Sequence, residues 1–138
     1  MQSERNKGIA RRLFKEVLNK RKMAVVDEIV THNYVLHNPP PGLATGIKGF
    51  KQLVTMYHTG FPDLHISIED MIEESDKVVV RWSSQSTHKG PFMGISPTNK
   101  RIAITGISIL RLKDGKVSEE WTEMDTLGVL RQMGATPQ

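Results

Sequence analysis

The 138-residue sequence predicts an α+β domain, a curved antiparallel sheet wrapped as a cone around helices that precede it in the chain. Up to residue 59 the apolar residues recur at helical spacing, and beyond it they alternate as strands do. Gly106 sits inside one of those strand-like runs, where a missing side chain marks a bulge or a bend. The run 101–112 is apolar at both parities, Ile102 and Ile104 on one side and Ile107 and Ile109 on the other. Such a sheet is covered on both faces. Helices cover one face; a second copy of the chain is expected on the other, giving a homodimer.

Ser3 is placed as the N-cap of a helix over 4–20, whose inner stripe holds Ile9, Leu13 and Val17 beside Ala10, Phe14 and Leu18. A shorter helix over 23–31 takes its stripe from Val26, Ile29 and Val30. "NYVLHN" reads as extended and runs into "PPPG", which continues neither a helix nor a central strand. A third helix over 47–59 puts Ile47, Phe50, Leu53, Val54 and Tyr57 on one face and ends at "TGFP". Strands follow: "LHISIEDMIE" (64–73), the turn "ESDK", then "VVVRWSSQSTH" (78–88). The Gly- and Pro-rich loop "KGPFMGISPTNK" leads into 101–112. "KDGK" then signals a tight hairpin, because Asp-Gly accepts the left-handed backbone such turns need. "VSEEWTEM" returns, and a closing helix over 126–133 stops at Gly134. Neither a repeat nor a linker interrupts the chain, so residues 1–138 read as one domain.

Composition excludes several classes of function. Hydrophobic residues at 38% and charged residues at 25% are those of an ordinary globular protein. No apolar run approaches the roughly 20 residues that span a bilayer, so no membrane partner is expected. The start "MQSERNKG" lacks an apolar signal-peptide core. The absence of cysteine excludes disulfides and thiolate metal sites and suits a reducing, cytoplasmic setting. The pI near 9.5 points towards nucleic acid, but position argues the other way. Residues 1–22 carry eight Lys/Arg against two Glu, while the rest of the chain has 11 basic and 13 acidic residues. The excess belongs to one helix face, without the interleaved aromatics of a nucleic-acid surface.

A sheet curled around helices leaves a cone with an open end that can hold a ligand. His37 and His88 lie at strand ends, whereas His32, His58 and His65 read as surface or capping residues. No two of the five histidines stand at metal-ligand spacing, so no metal and no cofactor is expected. Asp125 is open to two readings. It precedes "TLG" as a good N-cap, worth about 1 kcal/mol. It also shares a strand parity with Val117, Glu119, Trp121 and Glu123, which would set it at the rim of a wall lined by Trp121. Glu119, Glu120 and Glu123 read as solvated neighbours.

The ordered set "HNP" (37–39), "FPDL" (61–64), "THKGPFMGISPTNKR" (87–101), "LRLKDGKVSEEW" (110–121) and the step from Trp121 to Asp125, closed by "LRQMG", resembles the SnoaL-like polyketide cyclases, also called ester cyclases. These belong to the cone-shaped α+β superfamily of nuclear transport factor two and ketosteroid isomerase. The resemblance covers nearly the whole chain. Two positions depart from the pattern: Ser75 and Asn99 stand where glycine is common. In the family, a pocket Asp acts as acid/base in an intramolecular aldol ring closure without metal or cofactor, assisted by polar residues including His. The resemblance therefore implies Asp125 as the acid/base, with His37 and His88 as assisting groups.

The expected substrate is a small hydrophobic carbonyl compound. Asp125 removes a proton alpha to a carbonyl, the enolate attacks a second carbonyl of the same molecule, and a histidine assists the developing alkoxide. Trp82, Trp121, Tyr34 and Tyr57 are candidate walls, with core packing the competing role for each. Two rival readings stand beside this one. An epoxide hydrolase or isomerase of the same fold would draw an Asp–Arg–Asp clamp from Arg81 or Arg111 with Asp70 or Asp125. A non-catalytic binding module would have a cone filled with side chains.

Overall fold

A computed structural model describes residues 2–135, with side chains from Glu4 onward. Helix α1 (Gln2–Arg12) runs directly into a π-helical segment, Leu13–Asn19. The expected cap at Ser3 lies outside the described side chains. The wider π turn brings Leu13, Phe14 and Val17 into the core together. Helix α2 (Ala24–Ile29) is shorter than expected, because the chain turns extended at Val30 and enters strand β1 (Val30–Leu36). Helix α3 (Ile47–Gly60) buries Phe50 and Val54. Strands β2 (Ile66–Glu74), β3 (Lys77–Thr87), β4 (Arg101–Lys113) and β5 (Lys116–Met124) follow, then helix α4 (Thr126–Met133).

The five strands form one sheet in the order β1-β5-β4-β3-β2. Its last four strands are the expected antiparallel meander. The first departs from the expectation: β1 pairs parallel to β5, with Leu36 facing Glu120. Local pattern read Val30 and Thr31 as a helix tail because nothing in their neighbourhood announces a partner at the far end of the chain.

Both hairpins turn on left-handed residues. Asp114 and Gly115 have φ of 52° and 79°, and Ser75 has φ of 55°. Asn99, the other departure from the family's glycines, has φ of 59°. Both departures therefore fall on backbone that glycine adopts most easily. Gly106, however, marks neither a bulge nor a bend in pairing, since β3 and β4 run in unbroken register from Lys77↔Arg111 to Thr87↔Arg101. Its missing side chain makes room for Trp82: a Cβ there would stand 2.3 Å from the indole Cζ2. The register breaks lie elsewhere, between Ile68 and Asp70 in β2 and at Ser118 in β5, where Arg111 faces Glu119 but Leu112 faces Val117.

The concave face of the sheet carries Val78, Val80, Trp82, Ile102, Ile104, Leu110 and Val117 against the helices, forming the core. On the convex face Ile72, Val79, Ile109 and Trp121 pair in one row across four strands. Ile72 is 62% exposed and Ile107, one step along, is 47% exposed.

Candidate active site

Between the sheet's concave face and the helices lies a cavity of about 320 Å³. Its floor is apolar: Leu13, Phe14 and Leu18 from the π segment, Phe50, Leu53 and Val54 from α3, and Ile66 and Ile104 from the sheet. The loop after β3 folds over it with Phe92 buried and Met93 exposed, and Pro40, Pro41, Thr126 and Val129 complete the wall. The loop is fixed by Lys89 and Gly90, whose N–H groups donate to the Gly60 carbonyl at the end of α3. Asn38 ties the far side, donating to the Thr122 carbonyl at 2.5 Å and accepting from its N–H at 3.1 Å.

Within this apolar enclosure Glu120, Tyr34, Thr122, Ser108 and Trp82 form one connected polar set, while the Ser84 hydroxyl, also on the wall, has no partner among the described residues. Glu120 lines the cavity, is only 8% exposed, and forms no ion pair among the described residues. The Tyr34 hydroxyl donates to its Oε1 at 2.9 Å and the Thr122 hydroxyl to its Oε2 at 2.7 Å. Behind Thr122 stands the Ser108 hydroxyl at 2.8 Å, and the Trp82 indole N–H donates to that serine at 3.1 Å. Burial pushes the Glu120 carboxyl above the usual carboxylate range, opposed by the hydrogen bonds from Thr122 and Tyr34. Burial and the adjoining carboxyl likewise hold the Tyr34 phenol neutral, and burial pushes Tyr57 up to about 12.

Glu120 was not distinguishable as a site residue by parity. Counted by alternation from Val117, it falls on the outer face among acidic neighbours. The extra residue Ser118 breaks that count, so Val117, Glu120, Thr122 and Met124 face inward and Glu119 and Trp121 sit on the other face, with Glu123 paired to Ile107 there but also reaching the edge of the cavity. Trp121 is therefore not a cavity wall. Its ring stacks on His37 at 4.5 Å on the convex face, beside the Arg111 guanidinium at 5.8 Å. His37 in turn contacts Glu119 at 2.8 Å. The same hydrogen bond and that from Arg111 hold the Glu119 carboxyl below its usual range.

The other expected site residues divide. Trp82 and Tyr57 line the cavity, and Tyr34 lies buried directly behind Glu120. His88 is wholly buried but outside the lining, packed against Phe61 at 5.7 Å. The Thr98 backbone N–H donates to its Nδ1 at 3.2 Å, so the neutral ring carries its proton on Nε2, which has no partner among the described residues. Asp125 is exposed and caps α4, its Oδ1 accepting from the Gly128 N–H at 2.9 Å. Gly128 leaves space for it: a Cβ there would stand 2.2 Å from Asp125 Oδ2. The neighbours on either side, Met124 and Thr126, both line the cavity, so Asp125 lies at its edge without itself being part of the lining. His37, His88 and Asp125 thus do not converge on one point. Arg81 pairs with Asp70 at 2.6 Å, exposed and away from the lining, and so forms no clamp at the cavity.

Among the described residues no three His, Asp or Glu side chains are grouped to hold a metal ion, and no helix is long and apolar enough to cross a membrane. The family model of the SnoaL-like polyketide cyclases matches residues 8–133. The nogalonic acid methyl ester cyclase of Streptomyces nogalater is 32% identical over 113 residues, covering 79% of this chain and 83% of that one. The aklanonic acid methyl ester cyclase DauD of Streptomyces sp. strain C5 is 27% identical over 125 residues, covering 86% and 76%. The structure of TsrD from Streptomyces laurentii superposes with a TM-score of 0.86 at 26% identity, covering 96% of each chain.

Proposed function

The chain belongs to the SnoaL-like polyketide cyclase family, and from that premise we propose that it closes a ring in a small hydrophobic carbonyl compound by an intramolecular aldol reaction. The observation that carries this reading is the largely apolar cavity with the hydrogen-bonded cluster around Glu120 at one wall. Such a space folds a flexible chain into near-attack geometry, a larger contribution than acid–base catalysis alone. Asp125 at the rim takes the alpha proton. Capping α4 engages Oδ1 with Gly128, so the helix cap and the base are compatible in one residue. No metal or cofactor is assigned a part, and the setting is cytoplasmic.

Asp125→Asn tests the assignment, because Asn caps a helix about as well as Asp but cannot act as a base. On nogalonic or aklanonic acid methyl ester, turnover should fall about a hundredfold with thermal stability nearly intact. Asp125→Ala should lose the same activity and also about 1 kcal/mol of stability. Activity should persist after exhaustive chelation. Near-native turnover by the Asn variant, or loss with EDTA reversed by one metal, would remove this mechanism.

The functional unit is proposed to be a homodimer joined through the convex sheet face. The row Ile72, Val79, Ile109 and Trp121 supports this, since it offers an apolar band flanked by the mixed charges of Arg81 and Glu123 on one side and Lys77, Arg111 and Glu119 on the other. A two-fold axis through such a band sets mixed charges against mixed charges.

A further inference from the structure

We propose that Glu120 is the carboxylic acid that hands its proton to the substrate oxygen as the ring closes, a role that rests on the cyclase reading above. Its position supplies the first reason. It is the carboxyl buried in the cavity wall, whereas Asp125 stands at the rim and neither His37 nor His88 lines the cavity.

The direction of the hydrogen bonds supplies the second. The Trp82 indole nitrogen can only donate, so Ser108 accepts from it. Either hydroxyl can donate between Ser108 and Thr122, and the arrangement in which Ser108 does so gives its own hydrogen a partner. Thr122 then has its hydrogen free for Glu120. Tyr34, buried with no other partner for its hydroxyl hydrogen, donates to the same carboxyl. Reversing that bond would orphan a buried donor, at a cost of about 1–3 kcal/mol. In that arrangement every hydrogen in the set runs towards Glu120, and none of these partners accepts the proton of its own carboxyl. That proton is left for a ligand.

The third reason is that no cation pairs with it among the described residues. Burial without one favours the protonated carboxyl. After transfer it is an anion, and two hydroxyl donors already point at its oxygens, needing no reorganisation.

The step balances. The alpha C–H bond breaks and its proton passes to the Asp125 carboxylate, while its electron pair forms the new carbon–carbon bond. The π pair of the attacked carbonyl moves to oxygen, which takes the proton of Glu120. The cyclic product is an isomer of the substrate. Exchange with water then returns a proton to Glu120 and removes one from Asp125.

Glu120→Gln keeps the size of the side chain and removes the acidic proton. Cyclisation of nogalonic acid methyl ester should fall at least about a hundredfold in kcat, with KM within about threefold. Alpha-proton exchange of 2-tetralone in deuterated water, read by NMR, should fall in parallel, since the same acid stabilises its enolate. If the Gln variant unfolds, Thr122→Val and Tyr34→Phe serve, each expected to lower kcat about tenfold with KM unchanged.

A native protein that exchanges 2-tetralone but closes no ester ring would sink the ring-closure reading and leave Glu120 to be judged by the exchange. Near-native rates in Glu120→Gln, hydroxyl variants that alter only stability, or a native protein inert in both assays would overturn the role given to Glu120.

Discussion

Replacing Gly106 by Ala sets one methyl group against the widest side chain of the cavity wall. The new Cβ would stand 2.3, 2.7 and 2.8 Å from Cζ2, Cε2 and Cη2 of Trp82, all inside contact distance. Strand β4 cannot retreat, because its partners on both sides hold it in register. The indole must tilt, and its N–H then leaves Ser108. Overpacking of this kind costs about 1–3 kcal/mol, and the lost hydrogen bond about 1 kcal/mol. Ala recovers up to about 1 kcal/mol through its stiffer unfolded chain. The expected net loss is about 2 kcal/mol, or a fall in Tm of about 7 °C for a chain of this length. Urea denaturation followed by tryptophan fluorescence measures both the loss and the changed setting of the indole. The double variant Gly106→Ala with Trp82→Phe should recover part of the loss, as a clash relieved from either side must. A single variant within about 0.5 kcal/mol of native, with unchanged emission, would refute the packing argument.

Two further outcomes follow from features of the same sheet. Glu120 has its carboxyl pKa raised on folding, so its own contribution to stability is fully present below the ordinary glutamate value and is lost as pH rises through the folded value. The phenols of Tyr34 and Tyr57 that adjoin the cavity stay neutral over this span. Glu120→Gln should remove this decline, and melting curves of the two proteins from pH 4 upward should diverge; parallel curves would count against a buried carboxyl. Sedimentation at micromolar concentration should report a dimer, and Ile109→Lys should split it; a native monomer would refute the assigned face.

Short-range chemistry made much of the fold legible. The Asp114–Gly115 turn, the closing helix with Asp125 before it and Gly134 after it, and the inward parity of Ile102 and Ile104 all follow from neighbours within a few residues. "NYVLHN" was legible as extended, but the start of strand β1 and its parallel pairing were hidden because its partner lies at the other end of the chain. Glu120 was hidden for a different reason. Counted as an ordinary alternating residue after the Asp-Gly hairpin, Ser118 turns Trp121 inward and Glu120 outward from Val117. One extra residue decides the question, and nothing in "KVSEEW" announces it. The acidic residues on either side then disguised a buried carboxyl as part of a solvated run.

The parallel pairing of β1 with β5 also sets an order in time. Strands β2 to β5 can pair with their neighbours as each is synthesised, since every connection between them is local. β1 is made before all of them and has no partner until the last strand arrives. Tyr34 and Glu120 are 86 residues apart, so their meeting requires the longest loop closure in the sheet. A chain halted before residue 117 would hold the helices that precede the sheet and three strands of the meander, but no carboxyl for Tyr34 to bind. The hydrogen bond between them is therefore a late event of folding, and its appearance marks a molecule whose two ends have found each other.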